Sequence, residues 1–200
     1  MATEIELKAW VDDPAALRDR ISSLAEYGTS FEKEDTYWFP ETGGGKNLSP
    51  SGIRVRKEWD VPAPGDRGSR IILVTYKTKE IREGIEVNEE REFEVSDGEA
   101  FEELLTRLGF RGDISKKKRG WAWNYGDIRI ELSQVAGLGW FTELEILAGN
   151  AEPETVRTAR KGLLSLLGKL GIGEDKIESR YYTELLRTRG GPRARGSRQP

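Results

Sequence analysis

The chain contains no cysteine and no histidine. Without cysteine it can form no disulfide framework and no thiolate nucleophile. Without histidine, Ser-His-Asp catalysis and histidine-bound zinc are both excluded. Any metal ion would therefore be held by oxygen ligands, which favour Mg²⁺, Mn²⁺ or Ca²⁺.

Long apolar runs are also absent. No stretch approaches the roughly 20 apolar residues that a membrane-spanning helix needs. The N-terminus does not combine a basic start with an apolar segment, as a signal peptide would. These features predict a cytoplasmic protein without a membrane partner.

Charged residues are abundant, at 34% of the 200 residues, and they are unevenly distributed. Residues 187–200 carry five arginines and no acid, whereas residues 1–186 carry 27 basic and 35 acidic side chains. The terminal segment is also rich in glycine and proline and can bury little surface. We predict one domain over 1–186 and a basic, disordered tail over 187–200. Such a tail can contact nucleic acid, but it is more often simply solvated, so nucleic acid is not the predicted partner.

Strand-like segments dominate the chain, and helical patterns lie between them and after them. Alternation of apolar and polar residues predicts eight strands, at 4–10, 29–40, 52–59, 70–80, 87–95, 116–127, 128–135 and 139–147. Helical spacing predicts four helices, the first from Pro14 until Gly28 and the others at 96–110, 152–171 and 175–186. Short connections make most neighbouring strands antiparallel. The predicted architecture is one α+β domain whose sheet is long enough to close.

Almost every predicted strand carries charged residues on a single face. In EIELKAW (4–10), Glu4, Glu6 and Lys8 share one face, and Ile5 and Leu7 share the other. The arrangement recurs in the other strands with Arg54 and Arg56, Lys77 and Lys79, Glu90, Glu92 and Glu94, Lys117 and Arg119, Arg129 and Glu131, and Glu143 and Glu145.

These ionic faces can point either to solvent or into the interior of the protein. A single half-buried strand usually turns its charged face to solvent. Here the ionic positions are almost purely acidic or purely basic in each strand, and the predicted helices need an apolar surface to cover. If helices coat the outside of a curved sheet, the charged faces line its interior. Charges in such an interior must be paired or occupied by a ligand.

The types of charged residue indicate the ligand. Clusters of arginine and lysine bind phosphate oxygens. Pairs of glutamates two residues apart can hold hard divalent cations through carboxylate oxygens. A polyphosphate that carries Mg²⁺ or Mn²⁺ would satisfy both sets of side chains.

An ordered series of motifs resembles one known family. Residues 4–8, EIELK, match the ExExK signature of the CYTH superfamily, the triphosphate tunnel metalloenzymes. Further segments follow in the order of that family: DTYW (35–38), IRVRK (53–57), VTYK (74–77), REFEV (91–95), KKKR (116–119), GLGWFTELE (137–145) and ESRYYTELL (178–186). The pattern is most similar to the branch of class IV adenylyl cyclases and thiamine triphosphatases.

The resemblance implies a closed antiparallel eight-stranded β-barrel, a tunnel with helices packed outside, and Mg²⁺- or Mn²⁺-dependent chemistry on a triphosphate. By position, the implied metal ligands are Glu4, Glu6, Glu143 and Glu145. The implied catalytic set combines Glu4 and Glu6 with the phosphate ligands Lys8, Arg54, Arg56, Lys77 and Arg119. Alternation adds Lys79 and Lys117 as further phosphate ligands. The resemblance also implies Glu92 and Glu94 as other tunnel carboxylates, and Glu131 joins them because it shares the face of Ser133.

Three functions are compatible with these residues. Conversion of ATP to cyclic AMP and pyrophosphate is the preferred one, and hydrolysis of inorganic triphosphate, thiamine triphosphate or a nucleoside triphosphate is the second. The third is triphosphate binding without catalysis, which Ser133 suggests because the family usually places an aspartate there. The branch that the chain resembles commonly forms dimers, so a homodimer is also expected.

Overall fold

Eight strands close into an antiparallel barrel in the computed structural model, which describes residues 3–41, 52–60 and 70–189. The strands are β1 (Thr3–Trp10), β2 (Glu26–Pro40), β3 (Ile53–Asp60), β4 (Arg70–Arg82), β5 (Ile85–Glu94), β6 (Phe110–Tyr125), β7 (Ile128–Val135) and β8 (Gly139–Ala148). Around the barrel they follow the order β1-β5-β4-β3-β2-β6-β7-β8. The predicted α+β class and closed eight-stranded barrel are confirmed.

Within the described residues, four α-helices accompany the barrel: α1 (Pro14–Leu24), α2 (Gly98–Arg107), α3 (Pro153–Lys169) and α4 (Tyr182–Thr188). The side chains of Asp13 and Asp97 cap α1 and α2 by accepting backbone N–H bonds of 3.0 Å from Ala16 and Ala100. None of the helices in the described ranges has the length and apolar character needed to cross a membrane.

Two predicted helix boundaries are wrong. The first helix ends at Leu24 rather than near Gly28, because the chain from Glu26 onward pairs with β6. The predicted helix at 175–186 is instead a short 3-10 turn at Glu174–Lys176 followed by α4, because Ile177 forms a β-bridge with Ala9 of β1. Residues 187 and 188 of the predicted tail belong to α4, and residues 190–200 lie outside the described residues.

The main apolar core lies between the outer face of the barrel and the helices. Ile5 and Leu7 of β1 are fully buried in this layer. They belong to one cluster with residues of α1 and α3, among them Leu17, Ile21, Leu163, Leu166 and Leu167. The apolar faces of the strands therefore point outward to the helices, and their ionic faces point into the barrel.

A second apolar cluster fills one end of the barrel. Because the strands alternate in direction, β1 ends and β8 begins at this end, which we call the α4 end. Leu185 and Leu186 of α4 pack there against Phe141, and the Tyr182 ring meets Phe141 edge-on at 5.1 Å between centroids. The opposite end, where β1 and β4 begin, carries no residue of this cluster.

Gly120 marks the closest approach of β6 and β7. A Cβ atom at this position would lie 2.1 Å from the carbonyl oxygen of Leu132 and 2.7 Å from the Cα of Ser133. Both atoms belong to the backbone of β7, so the two strands would have to separate. We expect Gly120→Ala to destabilise the fold by about 3 kcal/mol, measured by urea unfolding. The matched control is Gly149→Ala, which meets no atom within 4 Å.

Candidate active site

A cavity of about 300 Å³ lies inside the barrel and is lined mainly by ionic side chains. It brings together most of the predicted site residues, namely Glu4, Glu6, Arg54, Arg56, Lys77, Glu92, Glu131, Glu143 and Glu145. Lys8 is buried beside the cavity, with its Nζ 3.1 Å from Oε1 of Glu86. Their roles as metal or phosphate ligands stay predictions.

The prediction for β6 placed the wrong pair of residues in the tunnel. Lys116 and Lys118 line the cavity and are buried. Lys117 is exposed and pairs with Glu34 at 2.5 Å, and Arg119 is exposed and bonds Gln134 at 3.1 Å. In KKKR (116–119) both faces of the strand are basic, so charge does not identify the inner face.

One further predicted residue lies outside the cavity lining, and another cannot be placed in it or outside it. Glu94 is exposed at the end of β5 and is not part of the lining. Lys79 lies in β4, but its side chain is outside the described residues. The structure adds lining residues that the sequence did not indicate: Lys33, Glu58, Glu86, Lys116 and Lys118. It also brings into the lining Glu90 and Arg129, which alternation puts on the ionic faces without a role.

Acids and bases occupy different sides of the tunnel. Three adjacent strands, β8, β1 and β5, form an acidic wall of Glu4, Glu6, Glu86, Glu90, Glu92, Glu143 and Glu145. The four strands β4, β3, β2 and β6, also adjacent, form a basic wall of Lys33, Arg54, Arg56, Lys77, Lys116 and Lys118. The division follows from strand order, since each strand contributes mostly one sign of charge.

Ion pairs bridge the two walls where they meet. On one side, Lys77 lies 3.2 Å from Glu4 and 3.0 Å from Glu90. On the other side, Lys118 pairs with Glu143 and lies 2.7 Å from Glu131. Burial favours the neutral form of Glu143, but the charge and hydrogen bond of Lys118 and the charge of Lys116 together outweigh it and lower the pKa of Glu143 to about 2. These ion pairs neutralise much of the charge inside the tunnel.

Asp35 organises the basic wall. Its side chain is fully buried and accepts two bonds from Arg56, at 2.7 and 3.1 Å, while Lys116 lies 3.0 Å away. Burial opposes ionisation, yet the charges of Arg56 and Lys116 hold the pKa of Asp35 well below its usual range. For Lys116, burial dominates and lowers the pKa to about 8.

Replacing Asp35 by asparagine should destabilise the protein. The change leaves Arg56 and Lys116 buried without their counter-charge, and breaking such a buried pair costs about 3 to 5 kcal/mol. Because the folded-state pKa of Asp35 is lowered, its contribution is present above the ordinary aspartate pKa of 3.8 and is lost as the pH falls below that value. Urea unfolding at pH 7 and pH 3 tests this, and a difference that does not shrink at pH 3 would contradict it.

Glu6 and Glu145 are the unbalanced carboxylates of the acidic wall. They face each other across β1 and β8, and neither forms an ion pair with a lysine or arginine of the described ranges. Burial is the largest cause that raises the pKa of Glu6 well above its usual range, and the charges of Glu143 and Glu86 add to it. Burial is also the main cause for Glu145 and, with the charges of Glu4 and Glu131, raises its pKa to about 7.

The acidic wall has the donor chemistry that a hard divalent cation needs. Nine glutamates and seven lysines or arginines are among the described lining residues, an excess of two negative charges when all are ionised. A divalent cation would relieve the repulsion that raises the pKa of Glu6 and Glu145. No three acidic groups in the described residues are yet gathered around one point, because Glu4 and Glu143 turn toward Lys77 and Lys118.

Glu145 should make the stability of the metal-free protein depend on pH. Its folded-state pKa of about 7 lies above the ordinary glutamate value of 4.5, so stability falls as the pH rises from 4.5 to 7. Glu145→Gln should remove this loss and be more stable than wild type at pH 8, by about 2 kcal/mol after discounting for partial exposure. Unfolding in EDTA at pH 4 and pH 8 measures it, and equal differences at both pH values would contradict it.

Ser133 is not among the residues that line the cavity. It is fully buried, pairs across the sheet with Gly120 and Phe141, and its Oγ has no hydrogen-bond partner among the described residues. The β7 carboxylate that faces the cavity is Glu131, which contacts Lys33 at 2.8 Å. The neutral residue at 133 therefore does not leave β7 without an acid in the tunnel.

Comparisons with known proteins agree with this architecture. The model of the CYTH domain family matches residues 2–182. A Methanocaldococcus jannaschii protein named "putative adenylate cyclase MJ0240" is 24% identical over 182 residues, which is 91% of this chain and 97% of that protein.

Solved structures with the same fold include the PH1819 protein of Pyrococcus horikoshii OT3. It has a TM-score of 0.73 and 27% identity, over 92% of this chain and 98% of that one. A Hippeastrum protein, described as a putative adenylyl cyclase with a dominant triphosphatase activity, has a TM-score of 0.61 and 18% identity, over 96% of this chain and 97% of that one.

Proposed function

The chain belongs to the CYTH domain family, and on this basis we propose that it is a divalent-metal-dependent enzyme that acts on a linear triphosphate bound in the barrel tunnel. The division of the tunnel into an acidic wall and a basic wall carries the proposal. A triphosphate alone would be repelled by the acidic wall. A triphosphate with divalent cations matches both walls.

The basic wall binds the phosphate chain in this proposal. Arg56 is held in a fixed orientation by the bidentate contact with Asp35, and Arg54 is held by Thr75 at 2.8 Å. Guanidinium groups fixed in this way bind phosphate oxygens with defined geometry. Lys116 and Lys118 add charge from the neighbouring strand β6.

The acidic wall would hold the metal through Glu4, Glu6, Glu143 and Glu145. A bound divalent cation neutralises charge on the phosphates and lowers the pKa of an attacking hydroxyl or water. The residues of this chain exclude bulk water, position the phosphate chain and keep the carboxylates close together. Lys77 and Lys118 can exchange their carboxylate partners for phosphate oxygens when the ligand enters.

The preferred reaction is conversion of ATP to cyclic AMP and pyrophosphate, supported by the name of the Methanocaldococcus jannaschii relative. In this reaction the ribose 3′-hydroxyl attacks the α-phosphorus and pyrophosphate leaves. The second candidate is hydrolysis, with water as the attacking group. The ionic lining supports hydrolysis as well as cyclisation, because these charges bind a phosphate chain with or without an organic group attached.

Product analysis distinguishes these reactions. Purified protein is incubated with Mn²⁺ and either ATP or tripolyphosphate, and with EDTA as the metal-free control. Cyclic AMP with pyrophosphate supports cyclisation, and orthophosphate supports hydrolysis. Tight triphosphate binding without any product would select the non-catalytic alternative, and absence of both binding and turnover would overturn the proposal.

A further inference from the structure

We propose that Ile71 and Leu73 bind the organic group of the substrate, so that the tunnel is built for an organic triphosphate rather than for inorganic tripolyphosphate. The inference rests on the proposed function and adds the class of substrate to it. Both side chains line the cavity and are partly exposed. Within the described lining they form an apolar surface in otherwise ionic and polar surroundings.

The inward face of β4 changes character along its length. It begins with Ile71 and Leu73 and continues with Thr75 and Lys77. Thr75 and Lys77 are engaged by charged partners, since Thr75 donates to Glu92 at 2.8 Å and Lys77 pairs with two glutamates. A phosphate chain gains nothing from contact with Ile71 and Leu73. An apolar ring laid over them removes apolar surface from water, which is favourable.

The position of these residues determines how the substrate would be oriented along the tunnel. Leu73 pairs across the sheet with Arg56, so the apolar surface adjoins a predicted phosphate ligand. Ile71 is the second residue of β4 and therefore lies toward the end of the barrel opposite the α4 end. The organic group would lie at this opposite end, and the phosphate chain would extend from Arg56 into the tunnel.

Glu58 gives the apolar surface a polar edge. It pairs across the sheet with Ile71 and also lines the cavity. Its carboxylate oxygens lie 3.7 Å from Lys33 and 3.9 Å from Arg56, distances longer than a hydrogen bond. The carboxylate can accordingly accept a hydrogen bond from an amino group on a ring above Ile71. Adenine combines an apolar face with such a group, and tripolyphosphate has neither.

The test compares binding of two ligands that share the phosphate chain. Calorimetric titrations with Mn²⁺ use the methylene-bridged, non-hydrolysable analogues of ATP and of tripolyphosphate. The variants are Leu73→Thr and the double variant Ile71→Thr with Leu73→Thr, since threonine suits a strand. The control is Leu108→Thr, because Leu108 is 64% exposed, lies at the C-terminal end of α2 and is not among the residues that line the cavity.

We expect the double variant to weaken binding of the ATP analogue at least tenfold and to leave binding of the tripolyphosphate analogue within twofold. Leu73→Thr should show a smaller loss of the same kind, and Leu108→Thr should change the binding of neither ligand. Equal weakening of both ligands, or no change in either, would overturn the inference and leave the proposed function standing. A wild-type protein that binds only the tripolyphosphate analogue would also overturn it, and one that binds neither would overturn both proposals.

Discussion

Glu6→Gln is expected to lower metal-dependent turnover on the order of 1000-fold and, at the same time, to make the metal-free protein more stable. The activity falls because a neutral amide replaces a predicted metal ligand, and the metal contributes several kcal/mol to stabilising the transition state. The stability rises because the variant no longer carries a buried carboxylate beside Glu143 and Glu86.

The gain in stability should depend on pH. Because burial and neighbouring acids raise the folded-state pKa of Glu6, ionisation of this group destabilises the fold as the pH rises above 4.5, the ordinary pKa of a glutamate. The variant should therefore melt at a higher temperature than wild type at pH 8 in EDTA, and at the same temperature at pH 4. Mn²⁺ should stabilise wild type more than the variant.

Glu89→Gln is the matched control for this prediction. Glu89 is an exposed residue of β5 that pairs across the sheet with Thr3 of β1, on the face turned away from the tunnel. Its replacement should change neither turnover nor the melting temperature. Turnover of Glu6→Gln within threefold of wild type would show that Glu6 is not a metal ligand. A melting temperature below that of wild type at pH 8 would contradict the proposed repulsion within the acidic wall.

Lys118→Met is expected to reduce turnover about 100-fold and the free energy of unfolding by about 3 kcal/mol. The Lys118 side chain is buried and neutralises both Glu131 and Glu143, so that its loss leaves two buried carboxylates with fewer counter-charges. Lys118→Arg keeps the positive charge and should recover most of the stability. Steady-state kinetics and urea unfolding measure the two effects.

Lys117→Met is the matched substitution on the opposite face of β6. Lys117 is 60% exposed and pairs with the exposed Glu34, and surface ion pairs contribute at most about 1 kcal/mol. Turnover should stay within twofold of wild type. The reverse result, with Lys117 essential and Lys118 dispensable, would show that β6 turns its other face to the tunnel.

The inner face of most strands could be predicted from their apolar neighbours. In β1, β3 and β8 the charged residues alternate with isoleucine, leucine and valine, which mark the surface that the helices cover. The orientation of Glu6, Arg56 and Glu143 follows from this alternation. The predicted CYTH family and closed barrel are confirmed together with it.

The inner faces of β6 and β2 were not predicted correctly, because the alternation of apolar and charged residues is weak in both strands. In β6, the buried Trp123 marks the outer face, and residues 117 and 119 share it, but four consecutive bases obscured that signal. In β2, the inward face combines Lys33 and Asp35 with the aromatic Phe31 and Tyr37, so charge and hydrophobicity do not separate. The homodimer, the disordered tail and the cytoplasmic location stay predictions.

In most strands an outward apolar face and an inward ionic face alternate with a period of two residues. Inserting one residue into a strand would exchange the two faces beyond that point, sending Ile5 or Leu7 into the tunnel and glutamates against the helices. Selection should therefore remove single-residue insertions and deletions within strands almost completely. Variation in chain length among relatives should be confined to the connections, where an added residue changes no side chain's orientation in the sheet.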